Sequence, residues 1–342
     1  MRWLLLPVLA SGLSGCYLGH VGWGQIQLLA ARQPVAEVLA DPDTPAALAD
    51  QLRLALRARD YAVQQLGLPD NGSYRCYADI ERPYVVWNLF AAAEFSVKPK
   101  TWCYPLVGCL AYRGYHDPER AARAAEDLRG HGYDVSIGPV AAYSTLGWFD
   151  DPLLNTMLGW SEERLVGLLF HELAHQVVFV DGDTGFNESY ASFVEQQGLR
   201  QWLADQPERL AALDESRRLQ REFVGLVSEA REELDQLYAL PIADAEKRRR
   251  KQQVFDALRA RYATRRDKQW NGDRRYDGWF ERELGNADLV PVGLYNRWVP
   301  AFEAVFRAQQ GDWPAFHAAV EALAAREPEE RRSRLEALDA AS

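Results

Sequence analysis

The chain predicts an α+β fold, on three observations. Residues 74–112 and 133–137 carry short runs of β-branched and aromatic residues, the composition of a small sheet. Leu165 to Phe179 reads as an almost wholly apolar helix whose main polar residues are His171, Glu172, His175 and Gln176. Beyond Glu195 the chain becomes helical and charged, with Phe223, Val227, Ala230, Leu234 and Leu237 recurring at three- and four-residue steps. A length of 342 residues, 48% of them hydrophobic, with 11 Trp and 15 Tyr, supplies a large folded core. The net charge of −10 argues against nucleic acid as a partner, because binding phosphate needs a basic surface.

Residues 1–15 hold one basic residue, a short apolar run and small residues ahead of Cys16, a segment too short to span a bilayer as a mature helix. Helices are expected over Gln25–Leu39 and Pro45–Leu66, the second punctuated by Leu68-Pro-Asp-Asn-Gly72. Strands follow at Tyr74–Tyr77, Tyr84–Phe90, Trp102–Tyr104 and Cys109–Tyr112. A helix over Asp117–Gly130, with Pro118 near its start and Gly130 at its end, leads to a strand at Tyr133–Ile137. Ala142–Trp148 alternates weakly. It is either an edge strand, where Tyr143 and Ser144 could meet an extended peptide, or a core strand in which both are structural. Pro241 separates the Phe223–Leu237 stripe from Val254, Leu258 and Tyr262, so an antiparallel helical hairpin is expected, with Lys247–Lys251 as a solvated face. Helices over Val299–Gln309 and Trp313–Arg326 close the pattern.

The chemistry concentrates in His171-Glu172-Leu-Ala-His175. Helical spacing puts both imidazoles on one face, within reach of a single metal ion, with Glu172 beside them to hold a metal-bound water. Buried without partners, each of the three would cost roughly 1–3 kcal/mol or more, a cost that a metal with its water removes. Zinc suits the ligand set, one ion per chain. Asp181, Asp183, Glu188 and Glu195 are candidates for a third ligand. Glu188 is the best placed, in the first turn of a second helix expected to begin near Asn187 and to return antiparallel after the turn Asp181–Gly185. Glu195 lies about 10.5 Å further along that helix and is better suited to face a substrate or support a ligand. Among the three cysteines beyond Cys16, Cys103 and Cys109 bracket a Pro-x-x-Gly turn and are the favoured disulfide, with Cys76 paired to either as the alternative.

Asn187-Glu188-x-x-Ala191 after HExxH resembles the signature of gluzincin metallopeptidases, especially the zinc aminopeptidases related to alanyl aminopeptidase. Twelve residues separate His175 from Glu188, fewer than in those enzymes, and their Gly-x-Met-Glu-Asn motif is absent. Tyr84-Val-Val-Trp-Asn88, Thr101-Trp-Cys-Tyr-Pro-Leu-Val-Gly-Cys109, Tyr112-Arg-Gly-Tyr115, Ala142–Phe149 and Phe170–Gln176 are similar to a bacterial lipoprotein family of predicted aminopeptidases. Leu13-Ser-Gly-Cys16 resembles the lipobox, which implies lipidation of Cys16, a membrane anchor, and a place in the cell envelope at the outer membrane facing the periplasm.

The resemblance implies a zincin-like metallopeptidase that acts on peptides. His171, His175 and Glu188 would hold zinc, Glu172 would be the general base, and Glu195 would bind the substrate amine. Tyr295 would be the phenol supporting the oxyanion, with Tyr143 and Tyr190 as rivals. A metalloendopeptidase and a non-enzymatic, zinc-stabilised envelope protein are the alternatives. The expected organisation is a signal peptide at 1–15, N-terminal helices at 16–72, a catalytic core at 73–205, the hairpin at 206–275 and a helical part at 276–342.

Overall fold

In the computed structural model the described residues are 22–104, 108–142, 145, 149–293 and 297–340. Helix α1 (22–30), strand β1 (Arg32–Pro34) and helix α2 (Val35–Ala40) stand where one helix over Gln25–Leu39 is expected. The break has a physical cause: Pro34 has no N–H with which to continue a helix, and Arg32–Pro34 pairs instead with Cys76–Ala78. Helix α3 (Ala46–Leu66) buries Leu52, Ala55, Arg59, Ala62 and Leu66 as one stripe. It stops at Gly67, whose φ of 65° is the left-handed conformation that glycine adopts at no steric cost.

The strands that follow are β2 (Cys76–Ala78), β3 (Val86–Ala93), β4 (Trp102–Tyr104), β5 (Gly108–Leu110), β6 (Arg113–Tyr115), β7 (Tyr133–Val140) and β8 (Leu153–Leu154), with helix α4 (Pro118–Gly130) between β6 and β7. They make three small sheets, ordered β1-β2-β8, β6-β3-β7 and β4-β5. Strand β2 is antiparallel to β1 and parallel to β8. In the β4-β5 hairpin Cys103 lies opposite Cys109 and is disulfide-bonded to it, while Cys76 is free and half-buried. The helices beyond are α5 (Glu162–Ala174), α6 (Thr184–Trp202), α7 (Pro207–Ala239), α8 (Asp244–Lys268), α9 (Asp277–Phe280), α10 (Asn286–Leu289), α11 (Val299–Ala308), α12 (Trp313–Ala324) and α13 (Pro328–Asp339). The α+β class therefore holds. Helix α13 lies beyond the last helix expected from sequence, because its charged run carries almost no apolar stripe.

The chain divides into two compact units. The first takes its described residues from Met1–Asn88, Gly114–Arg123 and Gly138–Phe179. There α3 packs on α5, with the Tyr61 ring stacked on Phe170 at 6.0 Å. The second draws on Leu89–Arg113, Ala124–Ile137 and Val180–Ser342. Helices α7 and α8 pack against each other through Leu226, Ala230 and Leu234 on one side and Phe255, Leu258 and Tyr262 on the other. The basic run at the start of α8 is a solvated, ion-paired face. Arg248 forks onto Glu94, Arg249 and Arg250 share Glu246, and Lys251 pairs with Asp134 at 2.6 Å.

Candidate metal centre

Helix α5 starts cleanly: the Ser161 hydroxyl accepts from the Arg164 N–H at 3.4 Å, and Glu162 and Glu163 occupy the first turn, where they complement the helix dipole. Leu165, Val166, Leu169, Phe170 and Leu173 are fully buried, which fixes the helix and leaves His171 and Glu172 half-buried. The helix ends at Ala174 rather than Phe179. At Gln176 and Val177 the backbone bonds tighten to three-residue turns, onto Leu173 and Ala174, ahead of a β-branched pair that is a poor helix former. His175 thus stands at the C-cap, with φ −59° and ψ −21°, so the one-turn spacing from His171 survives.

The two Nε2 atoms lie 3.2 Å apart, with the rings edge to face. Two nitrogens bound to one tetrahedral zinc at about 2.0–2.1 Å would be separated by roughly 3.3–3.4 Å, so the pair already has the spacing of two ligands of one ion. Among the described residues one group of His, Cys, Asp and Glu side chains could hold a metal ion. It is His171, His175 and Glu188, whose candidate ligand atoms all lie within 4.8 Å of one another. Two imidazoles and one carboxylate are a donor set that fits zinc and leaves a coordination position open.

Helix α6 begins at Thr184, three residues before the expected Asn187, because the Asp183 carboxylate caps it by accepting from Phe186 N–H at 3.1 Å. The other oxygen of Asp183 accepts from buried Arg331 at 2.9 Å, so this rival third ligand is committed elsewhere. Asp181 is exposed. Asn187 is buried, and its amide closes on both backbone groups of Val180 at 2.8 Å each, which secures the turn ahead of Glu188.

Glu195 is half-buried, two turns further on. The guanidinium of Arg217, pulled down to about 10 mainly by burial, has Glu195 as the first charge opposing that shift. Tyr190 is removed from the list of candidate phenols. It is fully buried, its hydroxyl is hydrogen-bonded to His317 Nδ1 at 2.8 Å, and burial pushes its pKa up.

The sequence reading missed a loop. Asn71 Nδ2 donates to Gln176 Oε1 at 2.6 Å, and Gln176 Nε2 donates to Ser73 Oγ at 3.3 Å. Arg59, buried on α3, donates from Nε to the Ser73 carbonyl at 2.9 Å, and the Tyr74 N–H donates to the Asp151 carbonyl at 2.6 Å. The available signal was the turn composition of Asp70-Asn-Gly-Ser73, together with a glutamine directly after the second histidine. Cys16, Tyr143, Ser144 and Tyr295 lie outside the described residues. Thr145, in the segment of the expected edge strand, donates its N–H to Asp151 Oδ2 at 2.8 Å.

Residues 16–335 match the family model described as "Putative aminopeptidase". No curated protein and no solved structure matches the chain. A match over nearly the whole length places the chain in that aminopeptidase family.

Proposed function

We propose that this member of the aminopeptidase family is a zinc metallopeptidase whose metal is held by His171, His175 and Glu188. The observation that carries the reading is the convergence of these three donors on one point, with Glu172 adjacent in sequence to the first. Zinc would supply a Lewis acid that polarises the scissile carbonyl and brings the pKa of water towards about 7. Glu172 would take the proton of the attacking water and deliver it to the leaving nitrogen as the C–N bond breaks. Asn187 and Asp183 hold the start of α6, and through it Glu188, in place.

Cleavage at a free amino terminus is the family's named activity, with Glu195 as the amine-binding carboxylate. Endopeptidase cleavage is the alternative. Turnover of free and N-acetylated peptides separates the two. The test of the site is metal analysis beside hydrolysis. Ala at His171, His175 or Glu188 should empty the site, whereas Glu172→Gln should keep the metal and lose at least about 100-fold in rate. A Glu172→Gln protein as active as wild type would remove the enzyme reading.

Lipid anchoring through Cys16 belongs to the same proposal. It rests on the lipobox sequence, and the family match begins at that residue. Among the described residues no helix is long and apolar enough to cross a membrane. Cys16→Ser should abolish labelled-palmitate incorporation and release the protein from the outer membrane.

A further inference from the structure

Helix α1 turns an apolar stripe away from the protein. Gly24 and Leu28, four residues apart, form its inward face: Leu28 is buried, and a side chain at Gly24 would strike the ring of His116. His116 is itself fixed, its Nδ1 donating to the Val85 carbonyl at 3.1 Å and its carbonyl accepting from Arg82 at 2.6 Å. Arg32 closes the far end of the helix by donating to the carbonyls of Leu29 at 3.2 Å and Asp150 at 2.9 Å. These contacts decide what faces outward. Trp23, Ile26 and Ala30 follow one another at three- and four-residue steps on the opposite side, and all three are exposed. At 61% and 57% exposure, Trp23 and Ile26 are the two most exposed large hydrophobic residues among those described.

The neighbouring sequence indicates what covers them. From Tyr17 to Ala31 the chain carries no Asp, Glu, Lys or Arg, in a protein where these make up 26% of the residues. Nothing ionised in that segment resists an apolar phase, and none of the net negative charge is carried there to repel anionic head groups. Six residues separate Cys16 from Trp23, so Trp23 stands within about 25 Å of the residue proposed to carry acyl chains, whatever path the linker takes. Tryptophan favours the head-group level of a bilayer, where the ring meets acyl chain while the indole N–H stays hydrated. We infer that the Trp23–Ile26–Ala30 stripe of α1 rests on the lipid surface, so that the first compact unit is held against the bilayer at a second point rather than swinging on its anchor. The inference rests on lipidation of Cys16 and names the next contact that lipidation allows.

The test uses lipidated wild-type protein in vesicles of phosphatidylethanolamine and phosphatidylglycerol that contain phosphatidylcholine brominated near the head-group end of its chains. The difference in fluorescence between wild type and Trp23→Phe isolates Trp23 from the other tryptophans. That signal should be quenched by the brominated lipid and shielded from acrylamide in the water. Ile26→Glu, at an exposed position, should leave the melting midpoint within about 2 °C, lose the bromine quenching and open Trp23 to acrylamide. Quenching of wild type by acrylamide alone would show the stripe in water, and quenching by neither would show it covered by a second copy or another protein. Either result overturns the inference and leaves the anchor intact. A wild-type chain that takes up no labelled palmitate overturns the anchor and this inference with it.

Discussion

His171 Nε2 and His175 Nε2 face each other at 3.2 Å, although the second histidine stands at the end of its helix rather than inside it. Two neutral imidazoles at this distance can share one N–H···N bond, whereas a metal ion uses both lone pairs at once. Chelation should therefore lower the melting midpoint of wild-type protein and leave His171→Ala unaffected. Differential scanning calorimetry with and without chelator checks this, and a midpoint indifferent to chelator would argue against bound metal.

Asp183 caps α6 and pairs with Arg331, which is buried. Asp183→Ala should cost about 2–3 kcal/mol, a lost cap plus a buried arginine left without its carboxylate, held by the carbonyls of Ala324 and Arg326 and the Phe186 ring. Asp183→Asn keeps the cap and should cost less. Both should retain zinc if Glu188 is the third ligand, so metal loss in the well-folded Asn variant would return the ligand role to Asp183.

The Cys103–Cys109 bond closes a loop with a sequence separation of 6. Chain-entropy reasoning gives such a short loop a stabilisation of about 2 kcal/mol, which paired Ser substitutions should remove in urea unfolding. Peptide mapping without reductant should recover this link and unlinked Cys76. A Cys76 linkage would contradict it.

Asp277 accepts from the Tyr262 hydroxyl at 2.5 Å and from Arg274 and Arg266, and these bonds hold its carboxyl at about 2, below the ordinary 3.8. A depressed folded pKa contributes stability that is complete above about pH 4 and is lost as the pH falls towards 2. Between pH 5 and 2 the urea midpoint of wild type should therefore fall further than that of Asp277→Asn. Parallel curves would show that the pair adds nothing.

What was legible in the sequence was local. The His171 and His175 spacing, the apolar run around it and the repeats of the α7–α8 hairpin all lie within one turn or one heptad, where periodicity speaks. Strands as short as β1 and β8 carry no period, so Arg32–Pro34 passed as helix until pairing with Cys76–Ala78 decided otherwise. The bonds from Asn71 and Ser73 to Gln176 cross more than a hundred positions, and no window along the chain contains both ends. Tyr190 looked like a site phenol because its partner, His317, lies 127 residues away.

The Arg331 to Asp183 pair spans 148 residues. Synthesis runs from residue 1 upward, so both histidines emerge long before the arginine that completes the start of the Glu188 helix. A nascent chain that has not yet made α13 would hold the start of α6 by the Asp183 cap alone, without the arginine that pairs with it. If the proposed site takes a metal, the helix that carries Glu188 would reach its full rigidity only once the far end of the chain has arrived.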